Sequence, residues 1–426
     1  MWGLYRFRKQ PNPGILDGMI NMKKKIIKIG LYILAMAFMP ISSCIEPIDV
    51  TFEDFESAIV VEATITDKME VQRVFLTRTF EFEDDGPSAE PNATVSINGG
   101  GNTFLFEESS PGVYLSQQAF AAQPNTPYLL SIQTQDGRSY NSTEMTLTQA
   151  TQIDEIRAER ITNDFGEEGV GIFVDSFDPT GNSVNYRYQY EETYKIIAPF
   201  WTPNDLEKVP ANEAEVFCEV RLIPDTVSEE TCFTTDFSNA IIQTNTSDLN
   251  EDRVSNYMVR FINRNNYIIS HRYSILVRQF VQSNSAFEFY ETLNEFSGSD
   301  SFFSQTQPGF LEGNISSTTN TEEKVLGYFD VATVQEQRLF FNYADLFPGE
   351  DLPPYIDPCA TSSPPLAVGV PPRCVLSTQV EENLVRYVGN NDSPEQTEGP
   401  YTIVPTVCGD CLELGKVAVP EFWIED

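Results

Sequence analysis

The sequence predicts a mainly β protein, and three observations predict it. Aromatic and turn-forming residues are abundant, with 30 Phe, 18 Tyr and 27 Pro in 426 residues, a balance that suits pleated, half-buried surfaces. Short alternating apolar stretches recur between turn signals, and long helical periodicity is scarce. Six cysteines follow Cys44, an even number that reads as three disulfides in an exported chain. Together they predict an N-terminal immunoglobulin-like or carboxypeptidase-regulatory-like β-sandwich. A second, larger β-sandwich domain with one or two short helices and a disulfide-rich C-terminal segment is expected after it. The expected divisions are 1–43, 44–57, 58–150 and 151–426, with the Pro- and Cys-rich segment from about 348.

The first division reads as a secretory signal. Lys23, Lys24, Lys25 and Lys28 precede an apolar run from Ile29 to Ile41, and residues 1–21 read as an over-extended start before Met22. Thirteen residues at ~1.5 Å each cover roughly 20 Å, short of the ~30 Å hydrocarbon core, so the run has the proportions of a leader rather than of an anchor. Ser42 and Ser43 then precede Cys44, with Ile41 at minus three. This spacing resembles the bacterial lipobox, in which the cysteine thiol takes a lipid and becomes the new N-terminus. Glu46, Asp49, Glu53, Asp54 and Glu56 follow directly, similar to the acidic tag that directs Bacteroidota lipoproteins to the outer face of the outer membrane.

The charge balance limits the partners. The whole chain carries −36. Loss of residues 1–43 removes seven basic groups and one acidic group, leaving 20 Lys+Arg against 62 Asp+Glu, a net −42. Such a body repels phosphate backbones, which excludes nucleic acid as a partner. It also repels anionic head groups, so membrane residence must come from the lipid on Cys44.

Within 58–150, "AIVVEATITD" and "QRVFLTRTFEF" alternate, and "ATVSINGGGNTFLFEES" holds a hairpin signal at Asn98–Gly101. A second hairpin is expected at Asp136–Gly137. From Thr151, "GVGIFVDSFDP" and "NSVNYRYQYEETYKII" read as strands joined by a "DPTGNS" turn. Tyr186, Tyr188, Tyr190 and Tyr194 share one face by their even spacing, which could form a binding platform but more often covers a half-buried core. "SNSAFEFYETLNEFS" predicts a helix with a capping box at Ser285 and Glu288 and an apolar stripe of Phe287, Tyr290, Leu293 and Phe296. "STQVEENLVRYV" predicts a second, short helix. Cys218 and Cys232 enclose a short loop and are expected to pair, while Cys359, Cys374, Cys408 and Cys411 allow three pairings.

No catalytic constellation emerges. The single histidine, His271, lies in strand-like sequence with no G-x-S-x-G elbow in the chain. "CGDC" at Cys408–Cys411 lacks the following helix that a thioredoxin-type thiolate needs, and only that pair has zinc-knuckle spacing. "DPTGNS" and "GNNDSPEQTE" offer oxygens for Ca²⁺ but do not match EF-hand spacing and read as turns. Neither catalysis, metal nor cofactor is expected. Phe200 and Trp201, beside prolines in "APFWTPND", are candidate contacts for a ligand or partner, although a loop tryptophan more often plugs the end of a sandwich. Trp423 is expected to pack the tail back onto the second domain.

"ISSC", "AIVVEATITD", "AFEFYETLNEF", "GNI" at Gly313–Ile315, "VLGYFDVA" and "CGDCLELGKVAVPEFW" occur in an order that resembles the Bacteroidota lipoprotein family known as domain of unknown function four-two-four-nine. That resemblance implies an outer-membrane accessory lipoprotein to a TonB-dependent receptor β-barrel, binding a peptide, glycan or other nutrient, and it supplies no catalytic residues. The alternative is a surface structural or adhesive module without a transporter partner.

Overall fold

One long strand, Val325–Asn342, organises the pairing of the molecule. In the computed structural model, which describes residues 57–80, 86–298 and 311–425, its first eight residues pair in parallel with the opening strand Ile59–Thr66, Val325 opposite Ile59 and Ala332 opposite Thr66. Its last ten pair antiparallel with Arg272–Val281, Thr333 opposite Val281 and Asn342 opposite Arg272. A single 15-stranded sheet therefore runs from Thr231–Phe237 at one edge to Ile315–Ser317 at the other. The leader, Cys44 and the acidic residues through Glu56 lie outside the described residues.

The predicted mainly β class is what the chain adopts. Alternation in the opening strand turns Ile59, Val61, Ala63 and Ile65 inward, where they join Leu76, Ile97, Tyr114, Leu130 and Tyr140 in the first core. Burying each of the larger side chains stabilises the fold by about 1.5–3 kcal/mol. The Asn98–Gly101 hairpin forms where expected, with Gly100 and Gly101 at φ +60 and +78, a conformation that most L side chains resist. Residues from much later in the chain complete this core: Ala286, Phe289, Ile315, Phe329 and Val331.

The second core forms where the three-stranded sheet of Ile153–Thr162, Glu168–Asp178 and Asp252–Asn263 packs on the large one. Ile156, Ile172 and Val174 meet Tyr186, Tyr188, Tyr194, Ile275 and Val277 there. The evenly spaced tyrosines thus cover a core, with Tyr190 half-buried at its margin.

Both helices differ in detail from the sequence reading. The first spans Asn284–Gly298, but its cap is Ser283, whose Oγ accepts from the Ala286 N–H at 3.2 Å. Ser285 instead shares a 2.7 Å hydrogen bond with the Tyr328 hydroxyl. The stripe on the core is accordingly Ala286 and Phe289, with Tyr290 and Leu293 partly buried beside them. A serine two residues earlier fits the cap equally well, and tertiary contact with Tyr328 decides between them. The second helix stops at Glu381, and Val385–Asn390 is a strand paired with Tyr401–Pro405. Asn383 at φ +56 ends the helix, a left-handed position that asparagine tolerates.

The disulfides correct the expected pairing of Cys218 with Cys232. Cys218 bonds Cys374, Cys232 bonds Cys411, and Cys359 bonds Cys408. Short loops are only weakly favoured, by about 0.6 kcal/mol per halving of length, so the strand order overrides them. Cys232 lies in the second core beside Asn185–Ile197, whereas Cys218 belongs to the loop before Val220–Pro224, which pairs elsewhere. Trp423 packs the tail against the large sheet, its ring centroid 4.9 Å from that of Phe233 and 5.8 Å from that of Phe340.

Candidate functional site

A cleft opens beside the strands that join the two cores. Its larger chamber, about 560 Å³, lies between Val60–Glu62, Leu326–Tyr328, the helix residues Phe289 to Asn294 and the loop Ser238–Ile242. A smaller chamber of about 230 Å³ lies along Glu62–Thr64, Glu70–Arg73 and Phe280. Glu62, Arg187, Gln189 and Tyr290 line both. The larger volume falls in the range of small-molecule sites.

Strand periodicity places the central residue. Tyr186 and Tyr188 face the second core, so Arg187 and Gln189 face the opposite side, into the cleft. Arg187 is 7% exposed. Its guanidinium carbon lies 4.6 Å from the Tyr290 ring centroid and 5.0 Å from that of Phe280, contacts worth about 0.5–2 kcal/mol each. One hydrogen bond, from Nη2 to Thr64 Oγ1 at 3.3 Å, ties it to the opening strand. Its Nε has no partner, although a buried donor normally finds one.

Asp330 is the nearby counter-charge. It stands opposite Thr64 in the strand register and is fully buried. Oδ1 accepts from the Val331 N–H at 2.9 Å, and Oδ2 has no partner. Burial pushes its carboxyl up to about 6, against the pull of the Arg187 charge and the Val331 N–H. Burial likewise raises the Tyr290 hydroxyl. The cleft walls otherwise combine apolar Val60, Ile241, Leu293 and Leu326 with exposed Glu62 and Gln189. This arrangement can hold and orient a ligand. Among its described lining residues no Ser, Cys or His nucleophile–base pair is assembled.

Residues 45–338 match the family described as "Domain of unknown function (DUF4249)". The chain belongs to the DUF4249 family. No curated protein matches it. A solved structure described as "Biofilm associated protein - B domain" aligns at 8% identity over 66% of this chain and 85% of that one, with a TM-score of 0.11; at that score the likeness carries no argument.

The residues singled out in the sequence of this DUF4249 member are dispersed. Phe200 is half-buried against Cys359, Val404 and Cys408, and its N–H donates to the Cys408 carbonyl at 2.9 Å. Trp201 is half-buried against the second core. Neither lines the cleft. His271 sits just before the strand Arg272–Val281, where burial and Lys195 lower its pKa. The six downstream cysteines are all disulfide-bonded. Asp357, Cys359 and Cys408 lie close together, but the two sulfurs are joined to each other and offer no thiolate to a metal. Asp178 of "DPTGNS" accepts from the Thr180 N–H and hydroxyl and from the Asn182 N–H, at 2.7–3.0 Å. In "GNNDSPEQTE", Glu398 accepts from Asn391 and the Glu395 N–H. Both stretches form self-satisfied turns. Arg187 escaped the sequence reading. Its one signal was a cation flanked by tyrosines of opposite facing in "NYRYQY", and the residues that complete its site come from positions 62–64, 290 and 330.

Proposed function

We propose that this chain is a non-catalytic ligand-binding lipoprotein of the outer membrane. Cys44 carries the lipid, the acidic tether leads outward, and the folded body faces the cell exterior. There it binds a nutrient and serves a TonB-dependent transporter barrel. The observation that carries the reading is the cleft: a ligand-sized space with mixed walls and a buried cation whose hydrogen-bonding capacity is largely unused. Two further observations support the location. "ISSC" follows a basic and apolar leader, and the body holds three disulfides, bonds that persist in oxidising compartments.

Chemical cross-linking in native membranes, followed by capture of this chain, tests the partner. Recovery of a large β-barrel receptor is the expected result. Capture that repeatedly brings down no barrel, while deletion of the gene leaves nutrient uptake normal and changes cell attachment, would favour the adhesive alternative.

A further inference from the structure

Arg187 is an unusual residue to bury. A guanidinium has five N–H donors and stays charged, yet this one makes a single hydrogen bond and otherwise lies against two aromatic rings. Asp330 does not take up these donors: its Oδ1 accepts from the Val331 N–H and its Oδ2 has no partner. The rings of Phe280 and Tyr290 lie against the group without accepting from its N–H donors. The unpartnered Nε is shut away from solvent, so the donors open to a ligand are those on the outer Nη nitrogens, where one N–H is taken by Thr64; paired donors of that kind fit a planar, two-oxygen acceptor. The nearby carboxylates of Glu62 and Asp330 disfavour a doubly charged phosphate relative to a single negative charge. Beyond Arg187, the larger chamber offers Val60, Ile241, Leu293 and Leu326 to an apolar body.

We infer that the cleft binds a monoanionic carboxylate with an apolar body, the carboxylate against the outer Nη nitrogens of Arg187 and the body in the larger chamber. This rests on reading the cleft as a ligand site and adds the ligand's chemistry. Two sources supply such a group: a free aliphatic acid and the C-terminus of an apolar peptide.

Isothermal titration of the purified mature chain in detergent with octanoate, trileucine and trileucine amide separates them. We expect at least one of the two acids to bind. If octanoate alone binds, the ligand is a free acid; if trileucine binds, it is a peptide terminus, and its amide should bind about 10–100-fold more weakly through loss of the charge-assisted pair. Arg187→Lys, which keeps the charge but not the planar fork, should weaken the acid that binds by about tenfold or more, with circular dichroism reporting that the variant is folded. No binding by either acid at about 10 mM, or equal binding of trileucine and its amide, would overturn the inference, and both results need only the unaltered chain. No barrel is present in this titration, so a negative result leaves the transporter reading standing, and a failed membrane capture leaves this one standing.

Discussion

At the scale of single residues, Asp330 and Gly327 carry the sharpest consequences. Asp330 is fully buried and its carboxyl is raised to about 6, above its value in an unfolded chain. Its contribution to stability is therefore fully present below about pH 4 and is lost as pH rises through 6. The shift corresponds to about 3 kcal/mol. Asp330→Asn removes that dependence. Its unfolding free energy relative to the unaltered chain should rise by about 2 kcal/mol between pH 4 and pH 7 in denaturant titrations. A difference that stays constant over this window would show that Asp330 is not the titrating group. Gly327 lies at φ +119, and a Cβ there would sit 1.9 Å from the Val61 carbonyl oxygen. Gly327→Ala should cost at least about 3 kcal/mol in thermal unfolding, because neither backbone can yield without breaking the parallel pairing. Hydrogen exchange should speed up in both Ile59–Thr66 and Val325–Ala332.

At the scale of elements, local patterning found what local physics decides. The alternation in Ile59–Thr66, the Asn98–Gly101 hairpin and the tyrosine face of Asn185–Ile197 all followed from period two and from glycine's tolerance of positive φ. The helix cap and the disulfides did not, because distant contacts choose among local equals. Ser283 and Ser285 are both competent caps, and the hydroxyl of Tyr328 takes the second. Cys218 and Cys232 are close in sequence, but they lie on segments that pair with different strands. Non-reducing proteolysis with mass spectrometry should recover peptides linking Cys218 to Cys374, Cys232 to Cys411 and Cys359 to Cys408. A Cys218–Cys232 peptide as the main product would contradict the packing of the C-terminal segment. Breaking the Cys232–Cys411 bond, which lies in the second core, should cost about 2–5 kcal/mol.

At the scale of the whole molecule, the mainly β class was legible, and so was the family, because a series of short motifs recurs in order over most of the chain. The cleft was not legible. It is made of residues near 60, 187, 240, 290 and 327, and only the sharing of Val325–Asn342 between two partners brings them together. Nothing in a strand's own sequence shows that its two halves will pair with different neighbours. The leader and the lipobox, by contrast, are purely local signals, and the proposed place of the protein in the cell depends on them. Mass spectrometry of the N-terminal peptide from protein purified out of native membranes tests that claim most directly. Residues 1–43 should be gone, and Cys44 should carry a thioether-linked lipid at the new N-terminus. A free thiol at Cys44, with the upstream peptide still attached, would contradict it.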